Sequence, residues 1–293
     1  YQSGSLGKMF TAAGVLLLAE DGLLAIDDPL TRHFPQAPRS WRKITIRHLL
    51  QHTSGLADYT ETGLDLRRDY AEEDLLKLAY RLPLEFTPGR QWRYSNTGYM
   101  LLGILIGKLT GAHWSDFLGE RIFDPLGMAS TRVISEADIV AHRAAGYVLD
   151  ETGAVKNQEW VAPSLNTLAD GALYFTVLDL CRWDAALGDE RLLSRASLEA
   201  WWAPARLSDG TTYPYGFGWA LDEQRGSPVL RHGGSWQGFR AHLARFPDQG
   251  LTVVVLANLA EADPAPVVEE VAGLLDPTLR LPDPEPSQPE PDP

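Results

Sequence analysis

Apolar segments alternate with polar, Gly- and Pro-rich segments along the first two thirds of the chain. In the first of them, from about Ser5 to Glu20, apolar residues recur at i, i+3 and i+4 on one face, and others fill the opposite face. This pattern predicts a helix that is buried on all sides, with Gly22 as its C-terminal stop. Further helices are predicted from "ITIRHLLQHTSGL", "AEEDLLKLAYRL", "TGYMLLGILIGKLTG" and "HWSDFLGERIFDPLGM". Residues from about 30 to 190 therefore form a large, mostly helical region.

The pattern changes in the last third of the chain. Strands are predicted from "YGFGWAL", "PVLRHGG", "GFRAHLARF" and "LTVVVLANL", and the turn "PDQG" between the last two indicates a hairpin. A final helix, "APVVEEVAGLLD", is expected to pack on this sheet. The fold class is therefore α+β, with an antiparallel sheet flanked by helices. We expect one domain over residues 1–275, with a sheet region formed by residues 1–29 and about 191–275.

Composition limits the partners. The chain has 293 residues, and its formal net charge of -13 argues against nucleic acid and anionic membrane surfaces as partners. No stretch reaches the roughly 18 uninterrupted apolar residues that a membrane span requires. Residues 276–293, "DPTLRLPDPEPSQPEPDP", are rich in proline and acidic residues and predict a disordered tail. The lone Cys181 lies in a helical pattern, where we expect it to be a small buried apolar residue.

Two familiar catalytic or metal-binding patterns are absent. The nucleophile elbow of α/β-hydrolases requires Gly-x-Ser-x-Gly, which neither Ser5 nor Ser235 satisfies, and the strand order is wrong for a parallel sheet. His48 and His52 stand four residues apart, as zinc ligands do, but without the glutamate of His-Glu-x-x-His or an obvious third ligand. Packing or a loop hydrogen bond is the better interpretation of these histidines. We predict no metal site.

Ser5 and Lys8 form a Ser-x-x-Lys pattern at the start of the first helix. Residues at i and i+3 lie on one helix face with Cβ atoms about 5–6 Å apart, so the two side chains could touch. The positive end of the helix dipole would favour an alkoxide or an oxyanion there. Only five of the 26 basic residues are lysines, which makes a lysine here less incidental. The pattern alone is weak, and a helix N-cap followed by a surface lysine is the alternative.

Two further motifs lie downstream, "RYSNTGY" with Tyr94 and Asn96, and "RHGGSWQGF" with His232. The ordered set Ser-x-x-Lys, Tyr-x-Asn and His-x-Gly resembles the penicillin-recognising serine hydrolases. Within them the sequence is most similar to class C β-lactamases, D-alanyl-D-alanine carboxypeptidases, D-aminopeptidases and related carboxylesterases. The likeness covers roughly residues 1–275 and includes "HLLQHTSGL", "IFDPLGM" and "HGGSWQGFRAHLARFPDQGLTVVVLAN". It implies a β-lactamase/transpeptidase-like fold.

The resemblance implies roles for four residues of the first two motifs. Ser5 would be the acylated nucleophile and Lys8 its proton partner. Tyr94 would share the general-base work and return a proton to the leaving group. Whether Lys8 or Tyr94 takes the serine proton stays open at this point, since their titrations would be coupled. Asn96 would hydrogen-bond substrate and orient the lysine.

The same resemblance assigns roles on the strand. His232 stands where many relatives carry lysine, and a cation or donor there would face a substrate carboxylate or support the tyrosine. Gly233 and Gly234 would let substrate approach the strand backbone. The backbone N–H of Ser235 would join that of Ser5 in an oxyanion hole. On residues alone, "HGG" could instead be a plain bulge or strand end.

The implied function is a serine hydrolase that works through an acyl-enzyme on an ester or a D-amino-acid amide or peptide, without metal or organic cofactor. Alternatives are a β-lactamase or penicillin-binding carboxypeptidase, and a non-catalytic binding or scaffold member of the fold. Histidine in place of lysine at His232 favours esterase- or peptidase-type relatives over a dedicated β-lactamase. The chain begins without Met four residues before Ser5, so we expect it to lack the family's N-terminal strands.

Overall fold

The computed structural model describes residues 1–134 and 138–282. Within these ranges the α-helices are α1 (Lys8–Glu20), α2 (Ile46–Leu50), α3 (Glu72–Arg81), α4 (Asn96–Thr110), α5 (Trp114–Leu118), α6 (Val177–Ala186), α7 (Arg195–Trp201) and α8 (Pro264–Leu275). The strands are β1 (Tyr147–Leu149), β2 (Val155–Asn157), β3 (Ala205–Arg206), β4 (Thr212–Tyr213), β5 (Ala220–Gln224), β6 (Ser227–Trp236), β7 (Phe239–Phe246) and β8 (Leu251–Ala257). The predicted α+β class is confirmed, with a mostly helical region before an antiparallel sheet.

The main sheet has the strand order β5-β6-β7-β8, and each neighbouring pair is antiparallel. The predicted hairpin between β7 and β8 is confirmed. Its turn ends at Gly250, whose φ of 58° lies in the left-handed region that glycine adopts without steric cost. Strand β5 begins only at Ala220, later than "YGFGWAL" indicated, because Gly218 with φ 74° interrupts the extended backbone.

The two faces of this sheet pack against different layers. Successive side chains of a strand point to opposite faces, so each strand contributes to both layers. On one face Val229 and Phe246 pack against Val268 of α8, as expected for the final helix. On the other face Leu230 and Leu243 belong to the main core, which also contains the apolar side chains of α1.

Helix α1 is buried on all sides, as predicted. Every residue from Lys8 through Leu18 is buried. Large apolar side chains such as Phe10 and Leu16 each stabilise the fold by about 1.5–3 kcal/mol when withdrawn from water. The start of this helix is therefore fixed firmly in the centre of the molecule.

The chain just before α1 lies directly against β6. A Cβ atom on Gly4, whose φ is 50°, would lie 2.3 Å from the backbone nitrogen of Ser235. A Cβ atom on Gly234 would lie 1.9 Å from the carbonyl oxygen of Ser3. Both distances are far below any real contact, so only glycine allows this approach at either position. This contact brings Ser5 next to the strand that carries His232.

Three details differ from the sequence-based expectations. Cys181 is exposed rather than buried, because α6 turns Leu180 and Trp183 to the core and leaves Cys181 on the outer face. The helical region also contains the β1–β2 hairpin, which the residue pattern did not indicate. The segment "HWSDFLGERIFDPLGM" is helical, but α5 continues into a π-helical turn over Gly119–Phe123.

The expected boundary of the tail at residue 276 is wrong. Pro277–Leu279 form a 3-10 turn, and Leu279 is fully buried against Val268 and Ala272 of α8. The Gln224 side-chain amide also donates a hydrogen bond of 2.6 Å to the Leu279 carbonyl. The packed structure therefore extends at least to Leu279, and the rest of the predicted tail, residues 283–293, lies outside the described residues. No helix in the described ranges has both the length and the apolarity needed to cross a bilayer.

Candidate active site

Ser5 lies in a 3-10 turn, Gly4–Gly7, that leads directly into α1. Its neighbours in the turn are buried, whereas Ser5 is partly exposed and borders a cavity. Ser3 is buried, and its hydroxyl donates to the Gly171 carbonyl at 3.2 Å instead of capping the turn. The capped-helix alternative for this segment is therefore wrong, and Ser5 rather than Ser3 offers its hydroxyl to the cavity.

Lys8 is fully buried one turn after Ser5. Its Nζ donates hydrogen bonds to Ser5 Oγ at 3.0 Å, to Asn96 Oδ1 at 2.8 Å and to the Asp170 carbonyl at 2.6 Å. These three acceptors match the three N–H donors of a lysine ammonium group, and none of them is a carboxylate. The predicted contact between Ser5 and Lys8 is present, and the surface-lysine alternative is wrong.

Asn96, the first residue of α4, orients Lys8 through its side-chain oxygen, as the resemblance implied. Its own amide is held by Asp58, whose Oδ2 accepts from the Asn96 backbone nitrogen at 2.8 Å and from Nδ2 at 2.9 Å. Asp58 was not among the predicted site residues. It lies 38 positions earlier in the chain, in a loop whose local sequence indicates only a turn.

Tyr94 lies on the same cavity as Ser5. Its hydroxyl is buried, and no hydrogen-bond partner for it occurs within residues 1–134 and 138–282. The Lys8 ammonium group lies 5.0 Å from the centre of the Tyr94 ring, and the His52 ring packs on it at 4.3 Å. The tyrosine is thus held by its ring, while its hydroxyl has no competing partner among the described residues.

His232 lies on β6 and borders the same cavity, but it does not offer a positive charge there. Its Nε2 is 2.9 Å from the Tyr215 hydroxyl, and its Nδ1 is 2.6 Å from the Gly233 carbonyl. Burial, reinforced by nearby Lys8, lowers the pKa of His232 to about 4, although the Gly233 hydrogen bond opposes this. Both ring nitrogens are occupied, so neither is free to face a substrate carboxylate in this structure.

Gly234 and Ser235 follow His232 on the strand. The close neighbour of Gly234 is the carbonyl of Ser3, so this glycine is required by packing of the chain on itself. The Ser235 backbone nitrogen lies against the turn that carries Ser5. The Ser235 hydroxyl contacts the Arg240 guanidinium on β7.

Two cavities meet at Ser5 and Ser235. The larger, of about 560 Å³, is lined by Tyr94, His232 and the charged side chains of Arg240, Glu261 and Asp263. The smaller, of about 180 Å³, has a different lining, with aromatic and polar residues that include Tyr59, Asn96, Asp170 and Trp236. A group bound at Ser5 could therefore extend into either space.

The smaller cavity holds a protonatable pair. The Tyr59 hydroxyl donates to Asp170 Oδ2 at 2.9 Å. Burial raises the pKa of the Asp170 carboxyl, with the Lys8 charge acting against the rise. Burial, followed by the Asp170 charge, raises the pKa of Tyr59 well above its ordinary value. Neither residue was predicted, because their pairing depends on two loops 111 positions apart.

The two histidines at metal-like spacing make hydrogen bonds to other protein groups, as interpreted from the sequence. His48 Nδ1 accepts from the Thr45 backbone nitrogen at 3.2 Å, in the capping interaction of α2. His52 Nδ1 accepts from the Ser95 backbone nitrogen at 3.2 Å. Within the described part of the chain, no group of three or more His, Cys, Asp or Glu side chains is arranged to hold a metal ion.

Comparison with known proteins agrees with this geometry. The family model described as Beta-lactamase matches residues 1–275. The chain belongs to the Beta-lactamase family. Penicillin-binding protein 4* of Bacillus subtilis (strain 168) is 36% identical to it over 278 residues, which cover 89% of this chain and 61% of that protein. The family resemblance inferred from the motifs is thus confirmed.

Two other proteins similar to this Beta-lactamase family chain have names that refer to D-amino-acid or D-stereospecific hydrolysis. A D-aminopeptidase of Gluconobacter oxydans (strain 621H) is 27% identical over 262 residues, covering 87% of this chain and 48% of that protein. The crystal structure of a D-stereospecific amidohydrolase from Streptomyces sp. matches with a TM-score of 0.81 and 30% identity, covering 92% of this chain and 85% of that one. The chain spans about half to three fifths of the length of the two curated relatives.

Proposed function

We propose that this chain is a serine hydrolase in which Ser5 forms an acyl-enzyme with an amide or ester substrate. The observation that carries the proposal is the 3.0 Å contact between Ser5 Oγ and the buried Lys8 Nζ, at the point where two cavities meet. A serine needs a proton acceptor to become a nucleophile. Lys8 Nζ is within hydrogen-bond distance of Ser5 Oγ and would have to act in its neutral form, and Tyr94 lines the same cavity as Ser5.

The reaction would proceed in two steps. Ser5 Oγ attacks the substrate carbonyl carbon while its proton passes to the Lys8–Tyr94 pair, and the carbonyl oxygen becomes an oxyanion. The backbone N–H groups of Ser5 and Ser235 stabilise that charge. The Tyr94 hydroxyl returns the proton to the leaving amine or alcohol as the bond to carbon breaks. Water then attacks the acyl-Ser5 carbonyl and restores the free serine.

The substrate class is proposed from the relatives and from the site together. The names D-aminopeptidase and D-stereospecific amidohydrolase belong to relatives, and we extend to this chain an amide or ester of a D-amino acid. The neutral His232 supports this choice over a substrate recognised through a carboxylate at that position. The second candidate is a reaction with β-lactams. The chain would either hydrolyse the β-lactam or, like a penicillin-binding carboxypeptidase, stay acylated by it, and the similarity to Penicillin-binding protein 4* favours this candidate.

The proposal is tested by labelling with a fluorophosphonate probe and by turnover of D-phenylalanine amide, a p-nitrophenyl ester and a chromogenic cephalosporin. We expect labelling and turnover in the natural chain and their loss in Ser5→Ala. Ser3→Ala is the matched control, because Ser3 lies two residues away but bonds only backbone carbonyls. Turnover that survives Ser5→Ala would contradict the proposal, and absence of labelling in the folded natural chain would favour the non-catalytic alternative.

A further inference from the structure

His52, Tyr215 and His232 form a continuous chain of hydrogen bonds behind the candidate active site. All three side chains are buried. His52 Nε2 is 3.2 Å from the Tyr215 hydroxyl, and that hydroxyl is 2.9 Å from His232 Nε2. The chain links three separate segments, because His52 follows α2, Tyr215 precedes β5 and His232 lies on β6.

Each end of this chain fixes the direction of its protons. At one end the Ser95 backbone N–H points at His52 Nδ1, so this nitrogen must be the acceptor and Nε2 must carry the hydrogen. At the other end His232 Nδ1 faces the Gly233 carbonyl, which can only accept, so Nδ1 carries the hydrogen and Nε2 accepts. The two ends independently require the Tyr215 hydroxyl to accept from His52 and to donate to His232.

Neither histidine ring can take up a second hydrogen without facing another donor. A hydrogen on His232 Nε2 would face the Tyr215 oxygen, whose own hydrogen would then have to turn toward the hydrogen on His52 Nε2. A hydrogen on His52 Nδ1 would face the Ser95 N–H. The positive charge of Lys8 on α1 also disfavours an imidazolium on either ring, and His242 on β7, when protonated, disfavours one on His232.

We infer that His52 and Tyr215 are positioning residues that hold His232 as a neutral imidazole, with its hydrogen on Nδ1, and thereby fix the wall of the active-site cavity beside Tyr94. The His52 ring also packs on the Tyr94 ring at 4.3 Å, so one side chain supports both Tyr94 and His232. The backbone at His52 has φ 58°, an uncommon conformation for a residue other than glycine, which the surrounding contacts must maintain. The kinetic part of this inference rests on the proposed function, whereas the structural part does not.

The direct test is ¹⁵N NMR of the histidine rings in the resting, full chain, with the signals assigned by His52→Gln and His232→Gln. We expect His232 to show a protonated Nδ1 and an unprotonated Nε2, and His52 the reverse, both unchanged between about pH 5 and 8, where ordinary histidines titrate. The opposite tautomer on either ring, or titration of either ring within that range, would overturn the inference. This measurement requires no catalytic activity, so its failure is distinguishable from failure of the proposed function.

Tyr215→Phe tests the central link. It removes the donor to His232 Nε2 with little change of shape, so we expect the second tautomer or the protonated form of His232 to become visible. We also expect kcat to fall about tenfold or more while KM changes little, because small misplacement of groups beside the reacting atoms reduces the rate steeply. Tyr213→Phe is the matched control, since Tyr213 stacks on Trp92 two residues away, outside this chain of hydrogen bonds. A folded Tyr215→Phe with the natural NMR pattern and natural kcat would overturn the role of Tyr215.

Discussion

The two sides of Ser5 are built differently. On the helix side, the Lys8 ammonium group is bonded to Ser5 and Asn96, and the Asp58 carboxylate holds Asn96 in place. On the sheet side, His232 is held through neutral groups. The helix side therefore places an ionised side chain directly against Ser5, whereas His232 on the sheet side is fixed by hydrogen bonds to neutral groups. The following predictions separate these two contributions.

The largest effect is expected from Lys8→Arg. The substitution keeps the positive charge, but a guanidinium group cannot release a proton and cannot fit the three acceptors around Nζ. We expect kcat/KM to fall by at least about 10³-fold, as for other members of a catalytic unit. Lys108→Arg is the control on a lysine of α4 away from Ser5. Near-natural activity of Lys8→Arg would show that only the charge of Lys8 matters.

A smaller effect is expected from Asp58→Asn. An amide at this position loses one acceptor, so the Asn96 nitrogens are held less firmly and Lys8 is oriented less well. We expect about a tenfold fall in kcat, with a loss of about 1–3 kcal/mol in the free energy of unfolding. Asp65→Asn is the control, because Asp65 caps an exposed turn in the same manner. Equal effects of the two substitutions on kcat would place Asp58 outside the active-site network.

The smallest effect at neutral pH concerns His232. Its folded-state pKa of about 4 lies below the ordinary value of 6.5, so above pH 6.5 it is neutral in both states and contributes no pH dependence. As the pH falls toward 4, His232 is protonated in the unfolded state but stays neutral in the folded state, so the free energy of unfolding decreases. We expect this loss to reach about 2 kcal/mol by about pH 5. Urea unfolding of the natural chain and His232→Gln should show it as a difference in pH dependence, and identical pH profiles would contradict it.

Local pattern was sufficient to predict much of the fold and the helix side of the site. The apolar periodicity predicted α1, and i, i+3 spacing at its start placed Ser5 against Lys8, since both relations lie within one helical turn. The strand pattern likewise predicted β6 to β8, where neighbouring strands follow each other in the chain.

Contacts between distant loops could not be predicted in this way. Tyr215 meets His52 across 163 positions, and the sequence around it, "TTYPYGFGW", indicates only turns and strand. The sequence around Asp58 likewise gives no sign of its contact with Asn96. An aspartate in a loop most often caps a local turn, as Asp58 also does for Thr60. The neutral state of His232 could not be predicted for the same reason, since it depends on burial and on partners that only the folded chain brings together.

The central claim is that Ser5 is the residue that becomes acylated. It is tested most directly by mass spectrometry of the full chain, quenched in acid during turnover of a slowly hydrolysed D-phenylalanine ester and digested with trypsin. The account predicts an added acyl mass on the tryptic peptide that ends at Lys8, assigned by fragmentation to Ser5, and absent from Ser5→Ala but present in Ser3→Ala. An acyl group on Ser3, on Ser235 or on any other residue, in place of Ser5, would contradict it.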